Sequence, residues 1–271
     1  MRRAIASVLL VATLWASTAH AAPEAPGGPP ADAYADYVLG RFAQGERDLE
    51  EARDRYARAL LEDPDSLPLR RRAFTQALAA GDERAALGQA PALRAADPLN
   101  PQLAMFDLAQ AVRRKRWDTA QDAATRLGGG GLGAIASPIT RAWIAQGAGR
   151  GDEALSLLAP NLSTGIARSY LAEHRARVLG AEGRWSLAAE AWAMALSDDA
   201  PGTWRLRSSD AMVRAGDAAG AATALAGQEA LAAYAPVRTR AARGRTSGLA
   251  PDTAASGIAM LMARLAEDID R

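Results

Sequence analysis

The chain of 271 residues contains no cysteine. That excludes disulfide staples, thiolate nucleophiles and cysteine-ligated metal sites. Histidine is nearly as scarce, with His20 in the first 21 residues and His174 beyond them. A single imidazole with no second ligand at i+3 or i+4 makes no metal site, so His174 reads as a polar-face residue or a packed ring. The adjacent acids Glu50-Glu51 and Asp198-Asp199 point apart on a helix and read as solvated surface rather than an acid–base pair. No Gly-x-Ser-x-Gly nucleophile element occurs. The run Gly128 to Gly131 lacks the Gly-Lys-Ser/Thr of a phosphate loop and reads as a flexible turn. Sustained alternation of Val, Ile, Thr and aromatics, the mark of strands, is also missing. These absences lead us to expect no enzyme, no cofactor and no metal.

A long hydrophobic run is missing too. The apolar stretch Ala4 to Leu14 is shorter than the about 20 residues that span a bilayer. It follows Arg2 and Arg3 and precedes the small-x-small pattern Ala19-His20-Ala21, which together read as a cleaved secretory leader over residues 1–21. The expected location is periplasmic, without stable membrane insertion. Removing the leader lowers Lys+Arg from 32 to 30 against 31 Asp+Glu. That balance gives no general pull toward nucleic acid or anionic membrane. Lys115 is the lone lysine; every other long basic side chain is arginine.

What the chain has is alanine, the best helix former, and regular punctuation. Residues 22–31, with Pro23, Pro26, Gly27, Gly28, Pro29 and Pro30, read as an extended linker. Short helical patterns then follow one another. Ala52, Tyr56, Ala59 and Pro64 lie on a second helix that ends at the proline, and Gly40 lies in the middle of the helix before it. A step of 34 residues carries Ala52 to Ala86, Ala120, Ala154 and Ala188, and the series drifts by one to Ala221. Asp63-Pro64 recurs as Asp97-Pro98, Gly81-Asp82 and Gly216-Asp217 mark turns between helices, and Trp185 and Trp192 flank Ala188.

These residues resemble the tetratricopeptide repeat, whose period is about 34 residues. The resemblance covers roughly residues 32–235 and is tightest around Ala52, Ala86 and Ala188. It implies an all-α fold, a right-handed α-α superhelix of about six helix pairs. It also implies that the small positions are helix contacts, with Trp117, Trp185 and Trp192 in the core. In this family the first helix of each pair lines a concave groove for a protein ligand. Carried over by register, the groove residues are Tyr34, Tyr37, Arg41, Arg71, Thr75, Met105, Ala109, Trp143, Gln146, Tyr170, Glu173 and Arg177. Aromatics with arginine are the composition of binding hot spots.

Residues 236–251 read as an arginine-rich loop carrying Arg238, Arg240, Arg243 and Arg245. A terminal amphipathic helix follows over 252–271, with Asp252 as its N-cap and Ile258, Leu261, Met262, Leu265 and Ile269 as its stripe. It is expected either to cap the sixth pair or to begin a further repeat of a longer chain. The function implied is a protein–protein scaffold or adaptor in the bacterial cell envelope, holding a partner peptide or helix. The alternative is a structural periplasmic part of a polysaccharide or outer-membrane export or assembly machine, either by itself or as the N-terminal portion of a longer protein.

Overall fold

The computed structural model describes residues 31–128, 133–159, 165–196, 200–225 and 234–269. The leader, nearly all of the Pro/Gly linker, Gly129 to Gly131 and Asp198-Asp199 lie outside the described residues. Helices account for the regular structure among the described residues, and no strand occurs there. They form six successive pairs: α1 (Ala31–Gly45) with α2 (Leu49–Glu62), α3 (Leu67–Ala79) with α4 (Glu83–Ala96), α5 (Pro101–Arg113) with α6 (Trp117–Arg126), α7 (Gly133–Gly147) with α8 (Gly151–Leu157), α9 (Ile166–Ala181) with α10 (Trp185–Ala195), and α11 (Gly202–Arg214) with α12 (Ala218–Ala224). Two further helices follow, α13 (Ala235–Ala242) and α14 (Ala254–Ile269).

The turn inside each pair is the same turn six times. Arg47, Gly81, Lys115, Gly149, Gly183 and Gly216 all have positive φ, in steps of 34 and finally 33 residues. The next residue's amide donates to the carbonyl five positions back, as in Asp48 to Ala43, Arg116 to Ala111 and Asp217 to Met212, each at 2.9 Å. This is a Schellman closure, which returns orphan carbonyls of the first helix to hydrogen bonding. The second helix starts at once. Asp48, Asp82 and Asp217 cap it by accepting from the amides of Glu51, Ala85 and Gly220 at 3.0, 2.9 and 2.8 Å. In the middle pairs Arg116, Arg150 and Arg184 stand at that position without a side-chain cap.

The small residues sit where helices touch. Ala52, Ala86, Ala120, Ala154, Ala188 and Ala221 are each 0% exposed. A side chain longer than a methyl has no room at such a contact. On the first helices the equivalent places are Gly40, Phe74, Leu108, Ala142, Ala176 and Ser209, all buried. Trp192 is buried, as expected of a packing position, while Trp117 and Trp185 are half-buried at its margin.

Two compact units divide between Ala90 and Pro91, inside α4. The first has its own core of Ala43, Ala52, Tyr56, Ala59, Leu60, Leu69 and Ala73, with Tyr37 packed edge-on against Tyr56 at 5.9 Å between centroids. The second has a continuous core running from Leu108 on α5 to Leu265 on α14.

Three expectations need correcting. The arginine-rich segment is not a loop throughout, because α13 takes Pro236, Arg238 and Arg240 into a helix. Proline is compatible with the first turn, where its missing N–H is an orphan in any case. Asp252 does not cap α14. Thr253 does: its hydroxyl accepts from the Ser256 amide at 3.2 Å, and Ser256 Oγ accepts from the Thr253 amide at 2.8 Å. Finally, α14 does not dock chiefly on the sixth pair, which it meets through Arg264 over the Trp204 ring at 5.0 Å. It runs back over the first helices of earlier pairs, touching α7 most and also α5 and α9.

Candidate functional site

The residues assigned to a groove fall into two groups. In the first unit Tyr34 is 63% exposed, and Arg41 and Arg71 are exposed, while Tyr37 and Thr75 are half-buried. A feature absent from the register argument adds to them. Val38 and Phe42 are 45% and 68% exposed, so Tyr34, Val38 and Phe42 form an apolar stripe at i, i+4 and i+8 along α1. Leu39 lies beside it, 44% exposed. The signal was present in the sequence, since the spacing is helical, but these residues read equally well as core.

In the second unit the expectation of an open groove fails. Trp143, Tyr170, Glu173 and Arg177 are 0%, 1%, 2% and 3% exposed. Gln146 is half-buried and donates to Glu182 at 3.1 Å. Met105 packs against the core and Ala109 is exposed. The cause of the burial is α14. Its stripe Ala254, Ile258, Leu261 and Leu265 is buried in the same core as Trp143 and Tyr170. Gly257 lies on the Trp143 indole so closely that a Cβ there would stand 2.0 Å from Cε2. Only glycine permits that approach. The side chain of Ile269 lies outside the described residues.

Charged side chains lock the register of α14. Arg177 donates to Glu173 at 2.8 Å on its own helix and to Asp252 at 3.0 Å. Asp252 also takes Arg207 at 3.1 Å, and Arg207 donates to the carbonyl of Ala250 as well. From α14, Arg264 donates to Glu173 at 2.7 Å and to Ser169 at 2.7 Å, with its guanidinium 3.8 Å from the centroid of the Tyr170 ring. Tyr170 in turn donates its hydroxyl proton to Asp268. Burial and then this carboxylate partner push the Tyr170 pKa up to about 12. The pattern satisfies buried charge by pairing, which is the condition for tolerating it at all.

His174 is the packed ring that its isolation suggested. It is fully buried, and its Nδ1 accepts from Trp143 Nε1 at 3.0 Å. Its Nε2 is buried with no hydrogen-bond partner. Burial, and then the nearby Arg177 and Arg264, hold its pKa well below the usual imidazole value. No group of three or more His, Asp or Glu able to hold a metal occurs among the described residues. Beside this network, α9, α10, α11 and the segment before α14 line a small cleft of about 30 Å³, with Trp185, Trp192, Arg207, Asp210 and Arg214 among its lining residues. Ser247 donates to both Asp210 oxygens, and Arg214 stacks over Trp185 at 4.4 Å.

No protein-family model matches the sequence. No curated protein matches it either. Solved structures do. A tetratricopeptide repeat protein from Parabacteroides merdae superposes with a TM-score of 0.52 at 14% identity, over 79% of this chain and 84% of that one. A structure of Naa15/Naa10 bound to HypK-THB aligns at 15% identity with a TM-score of 0.49, over 88% of this chain and 37% of that one. The fold is that of the tetratricopeptide-repeat class: an all-α array of helix pairs with the repeat's turn, period and small contact positions. No described helix is long and apolar enough to cross a membrane.

Proposed function

We propose that the protein is a scaffold that binds another protein through its first unit, in the bacterial cell envelope. The observation that carries this reading is the exposed stripe Tyr34, Val38 and Phe42 on α1, with Arg41 beside it. Three large apolar side chains in line on one helix are poorly hydrated. Rimmed by a cation, they have the make-up of an interaction patch rather than of scattered surface residues. Arg71 on α3 belongs to the same compact unit and extends the basic character. The envelope location rests on the leader pattern of residues 1–21, and the repeat architecture supports a binding role over a catalytic one.

The test is a capture experiment with the mature chain (residues 22–271) from periplasmic and membrane extract. It is run in parallel with a Tyr34→Asp, Phe42→Asp double variant. A partner held by the wild type and lost with the variant, at unchanged helicity, establishes the α1 face as the site. A partner held equally by both removes the site from α1. The same preparation checks the location: export of a fused reporter and a mature N-terminus at Ala22 are expected, and retention in the cytoplasm with Met1 intact overturns it.

A further inference from the structure

The turn between α5 and α6 departs from the other turns inside the pairs, and both departures add positive charge. Two devices build these turns: a glycine at the left-handed position and an aspartate that caps the second helix. Pairs two and six have both, as Gly81-Asp82 and Gly216-Asp217. Pair one keeps the aspartate, and pairs four and five keep the glycine. Pair three has neither. Lys115 stands at φ 55°, and Arg116 holds the cap position without a side-chain bond. Both replacements cost folding stability, because a side chain is strained at positive φ and a cation is unfavourable at a helix N-terminus. With Arg113 and Arg114 before them, they make four successive cations, all exposed. A local rule broken twice at one place, each time in favour of a cation, marks a position kept for something other than folding.

We propose that this hairpin tip docks the protein on an anionic membrane surface, with Arg113, Arg114, Lys115 and Arg116 on the phosphates of lipid headgroups. Arg114, Lys115 and Arg116 form no ion pair among the described residues. The next two pairs supply the contrast. Arg150 and Arg184 hold the same cap position, but they are paired, with Glu153 at 2.7 Å and with Asp152 at 2.9 Å. Asp118, the acid that follows the tip in the first turn of α6, offsets only one of its charges. The mature chain has no basic excess overall, so the attraction is local and orients the molecule. Neither the α1 surface nor the leader pattern enters this inference.

Three features select a lipid surface among anions. The tip is a protrusion whose four successive residues are exposed, so a plane can meet them together. Peptides are held in grooves or along strand edges, and the cleft described above lies among α9, α10 and α11, not at this turn. Second, no aromatic face accompanies the cations. Trp117 is half-buried and packs so tightly against α7 that a Cβ on Gly147 would stand 2.4 Å from its Cη2. Sugars and bases therefore find no stacking platform. Third, clusters of about four or more Lys and Arg are attracted to anionic bilayers, each residue near the surface strengthening binding by about fivefold. The association is accordingly weak, reversible and sensitive to salt.

The test is sedimentation of the mature chain (residues 22–271) with vesicles of phosphatidylcholine, alone or mixed with phosphatidylglycerol. Binding to the mixed vesicles only is expected at about 0.1 M salt, where the Debye length is about 10 Å, and its loss at about 1 M, where that length is about 3 Å. The informative variant is Lys115→Gly, Arg116→Asp, which installs the turn of pairs two and six. It is expected to melt about 3–6 °C higher than the wild type. Its affinity for the mixed vesicles is expected to fall about a hundredfold, three charge units being lost at about fivefold each. Lys115→Arg is expected to keep binding. So is Arg243→Asp with Arg245→Asp, a larger charge change at exposed arginines elsewhere in the second unit. Equal loss in that control reduces the effect to net charge and overturns the proposal. A wild type that ignores the mixed vesicles overturns it, and so does a turn variant that binds them as the wild type does. Capture of polyglutamate but not of vesicles assigns the tip to an acidic protein and overturns the lipid claim.

Discussion

Trp143 Nε1 donates to His174 Nδ1 at 3.0 Å, with the two rings at 87° to one another and both side chains fully buried. The bond joins α7 to α9 and dictates the tautomer of the imidazole. It also makes His174 intolerant of a second proton, because a protonated Nδ1 can no longer accept.

The pH dependence of stability follows. The folded pKa of His174 is depressed, first by burial and then by Arg177 and Arg264; the neighbouring Glu173 is already committed to those two arginines. A depressed pKa means that the unfolded chain takes up a proton the folded chain refuses. The His174 contribution is therefore complete above about pH 6.5, and it is lost as pH falls below that value toward the folded pKa. The melting temperature of the mature chain is expected to drop between pH 7 and pH 5, and His174→Asn, which keeps an acceptor for Trp143, is expected to flatten that slope. Asp36, whose pKa is held down chiefly by its hydrogen bond to Arg55, acts only in a more acid window, around and below the ordinary carboxylate value. An identical slope in wild type and variant would remove His174 from this account.

Asp252 is the keystone of the charged network beneath α14. Asp252→Asn leaves Arg177, 3% exposed, with a carboxylate partner on its own helix, Glu173, and weakens the tie to Arg207. Removing one member of a buried pair costs roughly 3–5 kcal/mol, and partial pairing through Glu173 places the expectation at the lower end. Chemical denaturation reads the loss. Near-ultraviolet circular dichroism of Trp143 should change with it if α14 is loosened.

Ala188 is 0% exposed at the contact between helices of the fifth pair. Ala188→Leu is expected to destabilise by about 1–3 kcal/mol, the ordinary cost of overpacking. The same change at Ala195, two turns along α10 and only partly buried, serves as the control and should cost less. Equal melting curves would contradict the assignment of Ala188 as a close helix contact.

Lys115 occupies the left-handed turn position that glycine fills in four of the six pairs, at φ 55°. A side chain there costs roughly 1–2 kcal/mol, part of which glycine returns as lost chain entropy. Lys115→Gly is expected to stabilise by about 0.5–1 kcal/mol. A loss of stability would show that the lysine side chain contributes contacts beyond the turn.

The repeat itself was legible in the amino acids. The alanines from Ala52 to Ala221 are spaced by the pitch of a helix pair, and a residue that must be small at every contact leaves a periodic trace whatever surrounds it. The turns left the same trace through Gly81, Gly149, Gly183 and Gly216, and even Arg47 and Lys115 keep the period. The first helices could likewise be placed, and Tyr34 and Arg41 are exposed on α1. Local spacing determined all of this, because each contact joins residues within one pair.

Where α14 goes was decided only by tertiary structure. Its stripe advertises a buried face but names no partner, and any apolar surface of matching width would serve. Asp252 looked like a helix cap because caps are local; its pairing with Arg177, 75 residues away, has no signature in spacing. Trp143 read as a groove residue on register alone, but Gly257 and the helix around it close over the indole. Periodicity encodes contacts between neighbours along the chain. The return of a distant helix to cover them depends on shape and charge assembled from four helices at once.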